Sequence, residues 1–143
     1  MNDKRIRPIV LGIVWRGDEL LVFENYDHVK DETYYRPLGG GIEFGERSQD
    51  ALLREFREEL DVELVRVRYL AALENIYTRN SQIGHEIVLL YEATLGDPSF
   101  YEREVFEVHE EVETLPAYWM PLHKFRAENL PLYPDGLLEL LTQ

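Results

Sequence analysis

The sequence has no cysteine. Disulfides, thiolate nucleophiles and cysteine-built zinc sites are therefore excluded, and a chain without thiols fits a reducing compartment. Basic residues are scarce beside acidic ones. Fifteen lysines and arginines face 28 aspartates and glutamates, a formal net charge of −13 over 143 residues. So acidic a chain lacks the basic footprint that a nucleic-acid polymer or an anionic membrane surface requires. Also lacking is any apolar run near the ~20 residues of a membrane helix. The early run Ile9 to Trp15 is preceded by Pro8 and interrupted by Gly12, and no small-residue cleavage site precedes Asp18-Glu19. It reads as a strand rather than a signal-peptide core, which makes the cytoplasm the expected location. No repeat, low-complexity tract or Pro/Gly/Ser-rich linker divides the chain, so residues 1–143 are expected to form one domain.

What is present is an ordinary globular composition, 45% hydrophobic and 30% charged, with enough apolar residues to build a core. Ile9 to Trp15 is β-branched and aromatic-rich and reads as a strand buried on both faces. Arg16 to Glu19 reads as a turn that returns the chain through Leu20–Phe23, a hairpin. Tyr34 to Leu38 reads as a short strand ending at Gly39-Gly40-Gly41. Ser48 offers a helix N-cap. Gln49 to Leu60 follows with helix formers, no Gly or Pro, and Leu53, Phe56 and Leu60 at helical spacing. Val62–Ile76 and Ile83–Leu95 read as strands. Gly96-Asp97-Pro98 ends the second. Tyr118–Leu122 reads as a last strand, and Pro134-Asp135 as the start of a C-terminal helix through Leu141. Many strands and two helices in one small chain predict a mixed α/β fold.

Chemistry concentrates in Leu38 to Glu46 and Arg54 to Leu60. On a helix, Glu55 lies three residues from Glu58 and four from Glu59, so the three carboxylates share one stripe. Two such groups ~5 Å apart repel by ~3 kcal/mol at an effective dielectric of ~20. Water offsets this on an open surface, and a hard divalent cation offsets it better, since Mg²⁺ takes carboxylate and phosphate oxygens together. Arg54, four residues before Glu58, can hold that carboxylate from the side. The glycines place a bare backbone beside the helix start. Gly40 and Gly41 allow close approach to a ligand, and a peptide carbonyl there is one more hard oxygen. Alone, the stripe reads as a solvated helix face and the glycines as a loop. No Gly-Lys-Ser/Thr follows, so this is not a P-loop.

Taken together, Gly40, Glu46, Arg54-Glu55, apolar Phe56, Glu58-Glu59 and apolar Val62, at these separations, resemble the Nudix box of Nudix hydrolases. The motif spans residues 40–62. The surrounding strand pattern suits the α/β/α sandwich with a mixed sheet that the family adopts. One position departs: Asp61 stands where the family usually has glycine, a change that bears on the helix end and not on the carboxylates. Leu38 also stands where many members have proline. The resemblance implies hydrolysis of the diphosphate linkage of a nucleoside diphosphate derivative, with Mg²⁺ or Mn²⁺ as cofactor. It implies Glu55, Glu58, Glu59 and the Gly39 carbonyl as metal ligands, Arg54 as the orienting arginine, and Glu46 as support for the loop. A later-loop acid commonly joins such sites. Glu113 is the first candidate here, with Glu110 and Glu111 behind it. Glu55, Glu59 and Glu113 remain alternatives for the group that accepts the water's proton. A homodimer is common among such proteins, and the resemblance carries that expectation; the partner is otherwise a small nucleotide-type substrate. A non-catalytic nucleotide-sensing module of the same fold is the rival reading, and the intact Arg54–Glu59 set speaks against it.

Other residues carry weaker expectations. Arg36, on the strand before the glycines, fits a salt bridge and a phosphate contact equally. Tyr34 and Tyr35 alternate, so only one can face a pocket. The acidic run Glu102–Glu113 reads as a solvated loop or helix face. Phe100 and Tyr101 are weak candidates for a substrate rim. Specificity is expected to reside in Tyr77–Gly84 and Asp97–Glu107, which carry no motif.

Overall fold

The computed structural model describes residues 4–143. Two sheets form the middle of the molecule. The first holds β1 (Ile6–Ile13), β5 (Gly39–Gly41), β6 (Leu64–Arg79) and β7 (Gln82–Leu95) in the order β5-β1-β7-β6. The second holds β2 (Trp15–Arg16), β3 (Glu19–Asp27), β8 (Val105–His109) and β9 (Thr114–Pro121) in the order β2-β3-β9-β8, with β4 (Glu32–Arg36) on the other edge of β3. β1 runs parallel to β7, from Ile6 opposite His85 to Ile13 opposite Glu92, and the remaining pairs are antiparallel. Three helices cover the sheets: α1 (Ser48–Leu60), α2 (Leu122–Ala127) and α3 (Leu137–Leu141). None of the described helices is long and apolar enough to cross a membrane.

Strand periodicity makes the layers. Ile9, Leu11 and Ile13 of β1, with Leu20 and Val22 of β3, join Phe125 of α2 and Leu137 of α3 in one core. Their neighbours Val10 and Val14, with Leu21 and Phe23, join Leu52, Phe56 and Leu60 of α1 in the other. The strands are thus apolar on both faces because helices lie on both, which is the expected α/β/α sandwich. α1 comes so close to β1 that a Cβ at Gly12 would lie 2.8 Å from the Phe56 ring. Only glycine fits that crossing.

Several local expectations need correction. The first strand and Leu20–Phe23 do not form one hairpin. The chain changes sheets at Val14, whose carbonyl accepts the Leu21 N–H at 3.0 Å, and Trp15 and Arg16 pair back onto Leu20 and Glu19. The turn was legible; the switch between sheets depends on β7, which lies far away in sequence. Gly39–Gly41 is itself a strand, hydrogen-bonded to Ile9–Leu11. The acidic run is neither loop nor helix face throughout. Val105–His109 alternates buried Phe106 and Val108 with exposed neighbours and pairs with β9. Phe100 and Tyr101 form no substrate rim. Phe100 stacks on Phe106 and Tyr101 on Trp119, inside the core around α1. A third helix, α2, escaped the reading of two.

At the start of α1, Arg47 is the capping residue and supplies no side-chain cap, so Ser48 is one residue too late for that role. Its hydroxyl instead meets the Tyr91 hydroxyl at 2.6 Å. At the far end Asp61 takes the left-handed conformation, φ 54° and ψ 48°, and donates its N–H to the Arg57 carbonyl. Glycine holds that conformation without a Cβ penalty, and loss of the carboxylate also removes a negative charge from a helix C-terminus. Asp61→Gly is therefore expected to stabilise the protein by up to ~1 kcal/mol, read as a higher urea midpoint at unchanged slope.

Candidate functional site

A cavity of about 660 Å³ opens where β5, α1, β4 and the β8–β9 turn meet. Its first organiser is Arg54. The Arg54 Nε and Nη2 donate to the two oxygens of Glu46 at 2.8 and 2.9 Å, and Nη2 also reaches the Gly41 carbonyl at 2.9 Å. Nη1 donates to Glu55 at 2.9 Å and more weakly to Glu58 at 3.4 Å. A planar fork suits this role, since one guanidinium engages three acids and a carbonyl in fixed directions. The glycine strand and the helix are thereby clamped together. Glu46 also accepts the Glu43 N–H at 3.1 Å, closing the loop between them. Held by Arg54, the Glu46 carboxyl is lowered to about 2 from an ordinary 4.5, and the Arg54 guanidinium is raised by Glu46 and Glu55.

The glycines bring the backbone against the acids. Gly39 has φ 149°, and a Cβ there would strike the Val10 carbonyl. At Gly40 a Cβ would fall 2.5–2.7 Å from the Glu55 carboxylate. Gly40 thus leaves the space that Glu55 occupies.

The three carboxylates all line the cavity but in unlike surroundings. Glu58 is open, its side chain 57% exposed, whereas that of Glu55 is 15% exposed. Glu59 is 2% exposed, and neither of its oxygens has a hydrogen-bond partner. Burial raises the Glu55 carboxyl despite Arg54 beside it. Burial, then the charge of Glu110, pushes the Glu59 carboxyl up to about 10. Such a carboxyl is neutral near pH 7 until a positive charge joins it.

Glu110, Glu111 and Glu113 all line the cavity from the β8–β9 turn. Glu110 is the one whose charge bears on both Glu59 and Glu55. Arg36 makes no salt bridge among the described residues. It lies over the Phe23 ring, its guanidine carbon 4.9 Å from the centroid, with a buried Nε that has no partner. Tyr34 and Tyr35 divide as their alternation requires: Tyr34 lines the cavity and Tyr35 packs on Phe125. Of the two segments expected to set specificity, Tyr77–Gly84 contributes Arg79 to the lining, while no residue of Asp97–Glu107 reaches it. The sequence carried no signal for Arg79.

Among the described residues, no three acidic or histidine side chains converge on one point as a ready-made metal cage. The donor set nonetheless fits a hard cation. It is all oxygen, it includes the orphaned buried pair on Glu59, and it adjoins a backbone kept bare at Gly40.

Comparison with known proteins gives one family. The NUDIX domain model matches residues 5–141. An NAD-capped RNA hydrolase NudC of Pseudomonas putida (strain W619) is 30% identical over 134 residues, covering 89% of this chain and 48% of that protein. The NudC of Pseudomonas aeruginosa (strain LESB58) is 30% identical over 118 residues, covering 82% and 37%. The chain thus spans about half the length, or less, of the curated relatives it matches. Among solved structures, a NUDIX hydrolase from Nitrosomonas europaea superposes with TM-score 0.69 at 15% identity, over 96% of this chain and 87% of that one. A MutT NUDIX hydrolase from Burkholderia pseudomallei gives 0.66 at 19%, over 98% of both.

The Arg54–Glu46 clamp makes a prediction on pH. A carboxyl whose pKa is lowered on folding adds stability that is complete above its unfolded value, near 4.5, and lost as pH falls toward about 2. Glu46→Gln should cost ~1.5–3 kcal/mol at pH 7. The gap between variant and parent should narrow below pH 4.5 and nearly close at pH 2, followed by melting temperature across that range.

Proposed function

The chain belongs to the NUDIX domain family, and from that premise we propose that it is a metal-dependent hydrolase cleaving the diphosphate linkage of a nucleoside diphosphate derivative. The observation that carries this is Glu59: a buried carboxylate with two unpartnered oxygens, set among Glu55, Glu58 and Glu110 in one cavity. Burying an acid without a hydrogen-bond partner is costly; the charge of Arg36 offsets the burial of Glu59 only in part, and a bound cation would complete it. Curated relatives named for hydrolysis of NAD-capped RNA support the reaction class.

In this reading Glu55, Glu58 and Glu59, with the Gly39 carbonyl, would hold Mg²⁺ or Mn²⁺, which when bound would supply neutralisation of phosphate charge and a more acidic water. Arg54 fixes the Glu55 and Glu58 carboxylates while itself anchored by Glu46. Gly40 and Gly41 let the diphosphate approach the backbone, and Arg36 offers its unpartnered Nε to a phosphate oxygen. Glu110, on the β8–β9 turn, bears electrostatically on Glu59 and Glu55 and is the first choice to take the water's proton; Glu113 follows it. Attack on phosphorus breaks one bridging P–O bond and releases two phosphate-bearing products.

Two experiments test the reading. Glu59→Gln replaces a neutral buried acid by its neutral isostere, so metal-free stability should change by no more than ~1 kcal/mol. The parent should gain ~2–3 kcal/mol at Mg²⁺ a hundredfold above its dissociation constant, and the variant should gain almost none. Turnover of the variant should fall ~10²–10⁴-fold. Equal Mg²⁺ stabilisation of both proteins would remove Glu59 from the metal site. Gly40→Ala places a methyl where the Glu55 carboxylate lies, and should cut kcat ~10–100-fold while the protein stays folded. Unchanged kcat in a chain that hydrolyses a panel of nucleoside diphosphate derivatives would refute that close packing.

A further inference from the structure

The cavity carries positive charge as well as negative. Arg7, Arg36 and Arg79 line it together with the carboxylates of α1, and the charge of Arg36 bears on Glu59. Arg7 already faces an acid, buried Glu86 at 3.9 Å. Arg36 and Arg79 make no salt bridge among the described residues.

Arg79 is held with unusual care. Its guanidine carbon lies 3.8 Å from the Tyr34 ring centroid, 4.7 Å from that of Tyr77 and 5.1 Å from that of Tyr133. The rings Tyr34 and Tyr77 each stand edge-on or tilted to Tyr133, a three-sided cage. Gly84, directly across the hairpin from Tyr77, makes room for it: a Cβ there would lie 2.2 Å from the Tyr77 ring. The backbone is fixed as well. Arg79 ends β6 at a tight turn through Asn80 and Ser81, both left-handed. Buried Asp27 accepts the Asn80 N–H at 3.2 Å, while the Asn80 side chain accepts the His28 N–H at 2.9 Å. This staple pins the β6–β7 turn to the β3–β4 turn.

Rings packed about a guanidinium leave its N–H edge as the free recognition surface, and that edge matches phosphate bidentately. With Arg79 over it, Tyr34 is also unavailable as a platform for a base on that face. We propose that Arg79 is a specificity-determining residue that receives a further phosphate of the substrate, beyond the diphosphate held near Glu55 and Glu59. The substrate class is then a nucleoside diphosphate derivative with an added phosphate, carried either at the chain end or on a ribose. This builds on the diphosphate reading of the cavity and adds the second anionic contact.

Calorimetric binding in Mg²⁺ tests it with ligands that hold no cleavable diphosphate, so the result stands whether or not the chain turns substrate over. One arm compares α,β-methylene-ADP with the α,β:β,γ-bismethylene analogue of ATP. The other compares AMP with adenosine 2′,5′-bisphosphate. In at least one arm the added phosphate should tighten binding ~10–100-fold, the range of charge-assisted hydrogen bonds, and the arm that responds tells where the phosphate is carried. Arg79→Gln should shrink that gain to about twofold. Gly84→Ala, which displaces Tyr77, should shrink it in part. Arg68→Gln, on the same strand but paired to Glu92 outside the cavity, should leave it intact. If Arg79→Gln does not fold, Arg79→Lys keeps the charge among the rings but loses the fork, and should still forfeit most of the gain. No gain in either arm, or a gain that survives loss of the guanidinium, overturns the proposal.

Discussion

Arg54 is the contact on which the site depends. Five donors on one rigid plane tie a glycine strand, a loop acid and two helix acids into one unit. Without that cation, Glu46, Glu55 and Glu58 would be like charges crowded at the mouth of a cavity. With it, repulsion becomes register, because each acid has a direction as well as a counter-charge. The geometry also explains why a lysine would serve poorly, since a point charge cannot hold three carboxylates and a carbonyl at once.

Glu59 lies beyond the reach of this clamp, and there the structure bears a cost. A carboxyl at the edge of the core, facing the charges of Glu110 and Glu55 with Arg36 opposing them, favours its neutral form until a further cation joins it. The surrounding packing holds it there regardless. Phe56 and Leu60, its helical neighbours, are anchored in the core against β1, so α1 cannot rotate to release it. Hydrophobic burial on one face of the helix thus enforces an unfavourable charge position on another. Local strain of this kind is typical of sites built to bind rather than to stabilise.

How much of this the sequence could disclose follows from where each interaction originates. The carboxylate stripe, its arginine and the glycine corner lie within 25 residues of one another, and helical spacing fixes their relation. Layering was legible for a similar reason: alternating apolar residues in β1 and β3 announce two buried faces. Pairings across distance were not. Nothing local to Ile9–Ile13 says that it runs beside Val88–Glu92 instead of folding back on Leu20. The order among Glu110, Glu111 and Glu113 was not legible because a run of acids has no register until β8 pairs with β9. Arg79 was invisible because its setting is assembled from four separated segments: β4, the β6–β7 hairpin, the β3–β4 turn and the chain around Tyr133. Asp61 was an opposite case. It breaks the usual pattern, yet the helix ends in the left-handed turn that glycine would make, because the backbone bonds to Arg57 and Phe56 do not depend on the side chain.

The cavity therefore joins two sets of charges with different origins. The acidic set comes mainly from one helix, with charges organised by a single guanidinium. The basic set comes from three strands, with a guanidinium organised by aromatic rings and little else. On the proposed reading, an anionic ligand in this cavity would meet opposite requirements at its two ends: a cation to mediate contact with the carboxylates on one side, and direct contact with arginines on the other. A neutral substituent would leave Arg79 and the Arg36 Nε without a hydrogen-bonding anion in a partly desolvated pocket, a penalty that a charged one relieves. Discrimination at such a site comes less from attraction to the right ligand than from the unpaired groups the wrong one leaves behind. On the Arg79 proposal, selectivity lies in the β6–β7 hairpin, far in sequence from the carboxylate motif, and the two are free to vary independently on one fold.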